Sequence, residues 1–300
     1  MIKQNPFSFY DFLGYFIPGA IVLQLFLLVP HLSSIVTYSD LVNILAVKEE
    51  FQTDKFIFFI IISYSIGHLV NYISSITIER FANWKYDYPS KYLININQNQ
   101  KYFRNDIKTK NFIYRIILAI LIFPVFVWDL ILGEFLKFKD FYTKKLDDFL
   151  IEVITKKFLL LLDQLYPPDI KGLKDKDYHR ILAHYVYEHS KNHQYKLSNY
   201  VALYGFLRCL CLITVSAFWL YVFYLFFNIY SYYANLNYKG IFNLISDISL
   251  VKLLILLAIS FISYIYFMAF MKFYRRYTLE TYMLIAIDKE LIVEKTLINE

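Results

Sequence analysis

The stretch LLILLAISFISYIYFMAFM, residues Leu253–Met271, carries no charge, no glycine and no proline. A helix rises about 1.5 Å per residue, so about 20 apolar residues match the roughly 30 Å of hydrocarbon in a bilayer. Outward from it lie three more uncharged stretches, Phe12–Ser39, Phe56–Ile78 and Cys209–Tyr230. They account for a composition that is 58% hydrophobic, 20% aromatic and only 19% charged. An ordinary soluble domain runs nearer half apolar and a quarter charged. The reading is an all-α integral membrane protein, with the lipid bilayer as its first partner.

Composition also excludes chemistry. All seven glycines stand alone, which leaves no phosphate loop and no dinucleotide fingerprint. Cys209 and Cys211 lie two apart inside an apolar stretch, where they point to different sides of a helix. No disulfide framework, cysteine-based zinc site or other cofactor is expected.

Charge sets the topology. The segment Arg80–Lys110 holds seven Lys/Arg and Lys137–Lys196 holds twelve, whereas the loops at 36–55 and 231–252 hold two each. Basic residues favour the cytoplasmic side close to the membrane ends. The segment Ile116–Trp128, with Arg115 before it and Pro124 inside it, decides between four and five crossings. Four crossings place every basic segment on one side, together with Lys272, Arg275 and Arg276. The expectation is therefore four transmembrane helices plus a re-entrant or interfacial apolar segment. Both termini lie in the cytoplasm, in a bacterial inner membrane.

The domain plan follows. Residues 1–79 hold an interfacial segment (Pro6–Phe16), a bend near Ile17–Gly19 and the first two spans, the first ending near Val36 with a kink at Pro30. A signal peptide competes for this stretch; a lone Lys3 and the lack of an Ala-x-Ala site argue against it. Residues 80–200 form a mainly helical cytoplasmic domain, including the membrane-associated segment 112–133. Its expected helices are Phe141–Tyr166, with apolar residues at three-and-four spacing, and Asp177 to about His193. A loop at Asn95–Asn105, short strands near Tyr92–Ile96 and a loop at Asp169–Lys176 complete it. Residues 201–273 hold the last two spans, with Arg208 snorkelling at the entry of the third. A C-terminal helix occupies 274–300.

Two constellations stand out. Along the second span Ser63, Gly67, Asn71, Ser74 and Ser75 recur at helical steps, with His68 and Tyr72 beside them. Such a stripe faces other helices, as packing, or water, as a pore lining in which His68 titrates. Asp11 either caps the first helix or pairs with Arg275 or Arg276 at the cytoplasmic edge. Elsewhere four of six histidines crowd into His179–His193, and His189 and His193 have the i, i+4 spacing of metal ligands. The reading taken is a polar, partly exposed helix, and no metal is assigned. Lys101-Tyr102-Phe103-Arg104 interleaves cations with aromatics, yet the net charge of +6 fits the positive-inside bias, and nucleic acid is not expected as a partner.

The opening FYDFLGYFIPG, Phe9–Gly19, resembles the N-terminus of uncharacterised bacterial multi-span membrane proteins, in which a second span carries a Tyr-x-x-Gly-His pattern like Tyr64–His68 here. The resemblance covers about thirty residues and implies no catalytic set. It implies a small membrane effector or component, in some cases linked to anti-phage defence. Three functions are expected on these grounds. The first is an oligomeric effector that perturbs or conducts across the membrane when its cytoplasmic region is engaged. The second is an anchor recruiting a soluble partner protein, and the third a membrane enzyme acting on lipid or nucleotide.

Overall fold

The computed structural model describes residues 11–28, 53–96, 102–103, 109–165, 178–235 and 250–291. The first span's end at Val36, the Pro30 kink, most of the Asn95–Asn105 loop, the Asp169–Lys176 loop and the Asp177 cap lie outside them. Among the described residues there are helices and turns but no strand. The expected strands near Tyr92–Ile96 are instead the end of a short helix and a turn, with Ile96 N–H donating to the Lys91 carbonyl.

In chain order the α-helices are α1 (Ile17–Leu28), α2 (Thr53–Ser74), α3 (Arg80–Tyr86), α4 (Pro89–Tyr92), α5 (Thr109–Leu121), α6 (Phe123–Trp128), α7 (Asp140–Thr143), α8 (Asp148–Leu165), α9 (Tyr178–His189), α10 (Gln194–Asn235) and α11 (Leu250–Ala286). Wide π turns occupy Phe12–Phe16, Ser75–Glu79 and Asp129–Phe135. Three helical segments are long and apolar enough to cross a membrane: Thr53–Tyr92, Lys191–Phe226 and Leu250–Ala286. A fourth counts if the pair α5 and Phe123–Phe135 is one broken span. That pair is bent by 92°, the geometry of a broken span or a re-entrant hairpin. The C-terminal helix at 274–300, expected to run on unbroken from the last span, is the continuation of α11 and ends at Ala286; residues 292–300 lie outside the described ones.

The chain divides into two compact units. The first comprises Met1–Glu79, Ile120–Asp129 and Gly205–Phe267; the second comprises Arg80–Ala119, Leu130–Tyr204 and Met268–Glu300.

In the first unit proline dictates two local shapes. Pro18 has no N–H for the Gly14 carbonyl, and the chain relaxes just before it: Ile17 N–H donates to the Phe12 carbonyl in a wide turn. The bend expected near Ile17–Gly19 is thereby replaced by a π turn running straight into α1. At the second site Ile122 leaves helical geometry (φ −99°, ψ 26°) and Pro124 starts α6 within its first two residues. The break is held by other helices. Trp219 Nε1 donates to the Leu121 carbonyl at 2.7 Å, and Trp128 Nε1 donates to Ser260 Oγ at 2.8 Å. Backbone interrupted in this way is tolerable in an apolar setting only when protein satisfies it.

The second unit has its own core. Helix α8 presents Ile154, Phe158, Leu161 and Leu162 to Leu182 and Val186 of α9, with Leu93, Leu146, Tyr282 and Ile285 closing the cluster. Helix α8 starts at Asp148 rather than Phe141 because Asp147 Oδ1 accepts the Leu150 N–H at 2.8 Å, a side-chain N-cap. Tyr282 Oη donates to the Ser90 carbonyl at 2.6 Å inside this core. Tyr282→Phe should leave that carbonyl unpaired and cost about 1–2 kcal/mol, read as a lowered thermal midpoint with unchanged helicity.

Helix α9 ends at His189, and His193 falls in a separate tight turn, Lys191–His193. The break at Ser190 removes the shared helical face that an i, i+4 metal pair needs. The two histidines face different carboxylates, His189 at 3.7 Å from Glu290 and His193 at 3.8 Å from Glu280. Beside them, burial and a hydrogen bond with Asp288 raise the Tyr185 hydroxyl above its ordinary range.

Candidate functional site

The polar stripe of the second span resolves into two faces of α2. On the inner face Ser63, Gly67, Val70 and Ser74 are buried; on the outer face His68, Leu69 and Tyr72 are exposed. Ser75 is half-buried, its hydroxyl returned to the Tyr72 carbonyl at 2.7 Å. That bond keeps its polar atom within its own helix.

The upper part of the inner face is a backbone contact. A Cβ on Gly19 would stand 1.7 Å from the Ser63 carbonyl oxygen, and one on Gly67 would stand 1.8 Å from the Tyr15 carbonyl oxygen. The N-terminal helix and α2 therefore touch main chain to main chain, which small residues four apart permit. Aromatic rings finish the joint. Tyr15 stacks on His68 with centroids 3.9 Å apart, and Tyr64 meets the same imidazole edge-on at 4.6 Å. Tyr15 and Gly19 of the first sequence pattern thus meet Tyr64, Gly67 and His68 of the second, and Ser63 just before it.

The lower part of the inner face grips a cation. Arg208 of α10 forms an ion pair with Glu79, donates Nη2 to Asn71 Oδ1 at 2.5 Å, and donates Nε to Ser74 Oγ at 3.0 Å. Its side chain is 9% exposed and that of Glu79 23%. The Ser74 hydroxyl in turn donates to the Asn71 carbonyl at 2.8 Å, and Cys209 Sγ lies 3.6 Å from it. Arg208 is thus enclosed between helices and does not snorkel as expected. The π turn Ser75–Glu79 explains how Glu79 reaches it. In an uninterrupted α-helix the position sharing a face with Asn71 and Ser74 is 78; one extra residue in the turn moves 79 there.

Asp11 begins the N-terminal helix without a side-chain cap bond, in αR geometry. It belongs to the first unit, whereas Arg275 and Arg276 belong to the second. Arg275 donates twice to the Lys144 carbonyl, at 3.2 and 2.9 Å, and Arg276 lies over the Phe273 ring at 5.7 Å.

Among the described residues no cluster of three His, Cys, Asp or Glu side chains is placed to hold a metal ion. What the arrangement offers is a tightly sealed helix joint, an enclosed charge pair, and at the edge of the joint an imidazole that stacks on Tyr15 while staying exposed. The class defined by this architecture is an α-helical chain with three or four segments fit to cross a membrane. No family model, curated protein or solved structure matches the chain.

Proposed function

We propose that the protein is a bacterial inner-membrane effector that oligomerises and perturbs or conducts across the membrane when its cytoplasmic region is engaged. The proposal extends to a role in anti-phage defence, for which the N-terminal resemblance is the support. One observation supports the reading above the others: the exposed His68–Tyr72 face of α2, which lies well inside the stretch between Lys55 and Glu79. At 1.5 Å per residue His68 lies about 20 Å along the helix from Lys55 and about 16 Å from Glu79, the depth of the hydrocarbon. An imidazole there is costly against lipid and calls for protein or water. The Ser63–Ser74 face is spent on packing and on Arg208, which leaves the His68 face for copies of the chain. A few helices per chain enclose little interior, and a path therefore needs several copies about an axis. Engagement acts by favouring the open assembly over the closed one.

Cysteine placed at position 68 or 72 should cross-link copies in membranes under mild oxidation, whereas cysteine at Phe56, exposed on a different face of the same helix, should not. Equal cross-linking at all three positions contradicts a specific face.

One observation favours the anchor as a second reading. Phe135, Phe141 and Phe149 are 80%, 81% and 72% exposed in the second unit. A soluble partner covering them would co-purify in fixed proportion, and liposomes holding the chain would then stay tight.

A further inference from the structure

We infer that Arg80, Trp84 and Tyr114 form a binding site for the phosphate of an anionic phospholipid. The inference rests on the reading that α2 crosses the membrane. Arg80 follows directly on the π turn Ser75–Glu79 that closes the uncharged stretch Phe56–Ile78. Its guanidinium lies over the Trp84 ring at 5.6 Å and over the Tyr114 ring at 5.7 Å, and the two rings meet edge-on at 5.2 Å. The side chain is exposed, and among the described residues its partners are these two rings alone. Aromatic rings thus orient a planar fork of donors and leave its outer edge open, the geometry in which arginine takes two phosphate oxygens.

The surroundings favour lipid over a dissolved anion. Helix α5 turns Phe112, Ile113, Ile116 and Ile117 outward, each at least 38% exposed, and Phe103 continues the patch with its ring 5.8 Å from Phe112. On the opposite side of α5, Leu118 is buried, and Arg115 lies over Trp84 at 4.8 Å. Arg115 and Tyr102 are tied reciprocally, Tyr102 Oη donating to the Arg115 carbonyl at 2.9 Å while Arg115 donates to the Tyr102 carbonyl. Tyr102 and the adjacent Phe103 are thereby pinned to α5. Exposed Lys110 lies one helical turn before Tyr114 and adds a second positive charge. An apolar face for acyl chains beside an aromatic-held arginine for the headgroup is an interfacial pattern, and each basic residue near the membrane surface adds about fivefold in affinity for anionic lipid.

The test uses the purified full chain in nanodiscs of phosphatidylcholine with a minor fraction of phosphatidylglycerol, and lipid retained after detergent exchange is read by native mass spectrometry. The wild type should retain phosphatidylglycerol, and Arg80→Gln should retain about fivefold less. Arg80→Lys, which keeps the charge and loses the planar stack, should fall between them; it serves if the glutamine variant does not fold. Lys191→Gln, on the surface away from the cluster, should match the wild type. Equal retention by Arg80→Gln and wild type overturns the site, as does displacement of the lipid by millimolar inorganic phosphate. A chain washed from membranes by carbonate would fail the spanning reading. A chain that stays but shows no dependence on Arg80 fails the site alone.

Discussion

Replacing Arg208 by leucine is expected to cost about 3–5 kcal/mol of stability. The expectation follows from the enclosure of the pair. Arg208 neutralises Glu79 and satisfies Asn71 and Ser74. Without it the carboxylate and the amide oxygen are left in an apolar bundle with nothing to compensate them. Glu79→Leu should cost a similar amount by stranding the guanidinium. The double variant Arg208→Leu/Glu79→Leu should recover at least half of either loss, because an enclosed ion pair contributes little over well-packed apolar residues. Unfolding of the purified chain in detergent, followed by helicity, measures all three. Additive losses would mean that the two side chains act independently.

The second large effect is steric. Gly67→Ala places a methyl group 1.8 Å from the Tyr15 carbonyl oxygen, and Gly19→Ala places one 1.7 Å from that of Ser63. The obstructing atoms are main chain and cannot rotate away, so the helices must separate. Each substitution should cost about 3 kcal/mol or more and should release Tyr15 from His68. Gly205→Ala is the matched control. Nothing stands within 4 Å of its Cβ position, and helix propensity predicts a gain of up to about 1 kcal/mol. A thermal midpoint that falls for the first two and holds or rises for the third separates close approach from a general dislike of alanine.

The apolar stretches are legible in the sequence because twenty uncharged residues in a row have few other readings. The bend near Ile122 is legible for the same kind of reason: Pro124 inside a short apolar run leaves a helix few ways to continue. The α2 stripe shows in the sequence as a periodic set, and its residues do lie on adjoining faces. Its division of labour is not legible, because that depends on which neighbour each face meets. Gly67 meets a backbone some fifty residues earlier in the chain, and Asn71 meets an arginine on α10. Glu79 is hidden more deeply. Counting by 3.6 puts it on the wrong face, and only the π turn brings it round to Arg208. Arg208 itself looks like a snorkelling residue at the start of a span, since a sequence does not say that a carboxylate from another helix is waiting. The capped start of α8 was available in principle, because Asp147 precedes an apolar period. The apolar and aromatic residues of 135–143 mask it by extending the periodic pattern upstream.

The central claim is that the exposed His68–Tyr72 face serves assembly and passage across the membrane, and ion flux in liposomes tests it most directly. Wild-type chain reconstituted with a potential-sensitive dye should dissipate an imposed potassium gradient at a rate rising more steeply than protein density. His68→Leu, incorporated equally and melting as the wild type does, should slow that loss at least tenfold. Equal rates for the two would contradict a role for the His68 face. Liposomes that stay tight at every protein density, with the chain shown to be inserted, would contradict the conducting reading itself.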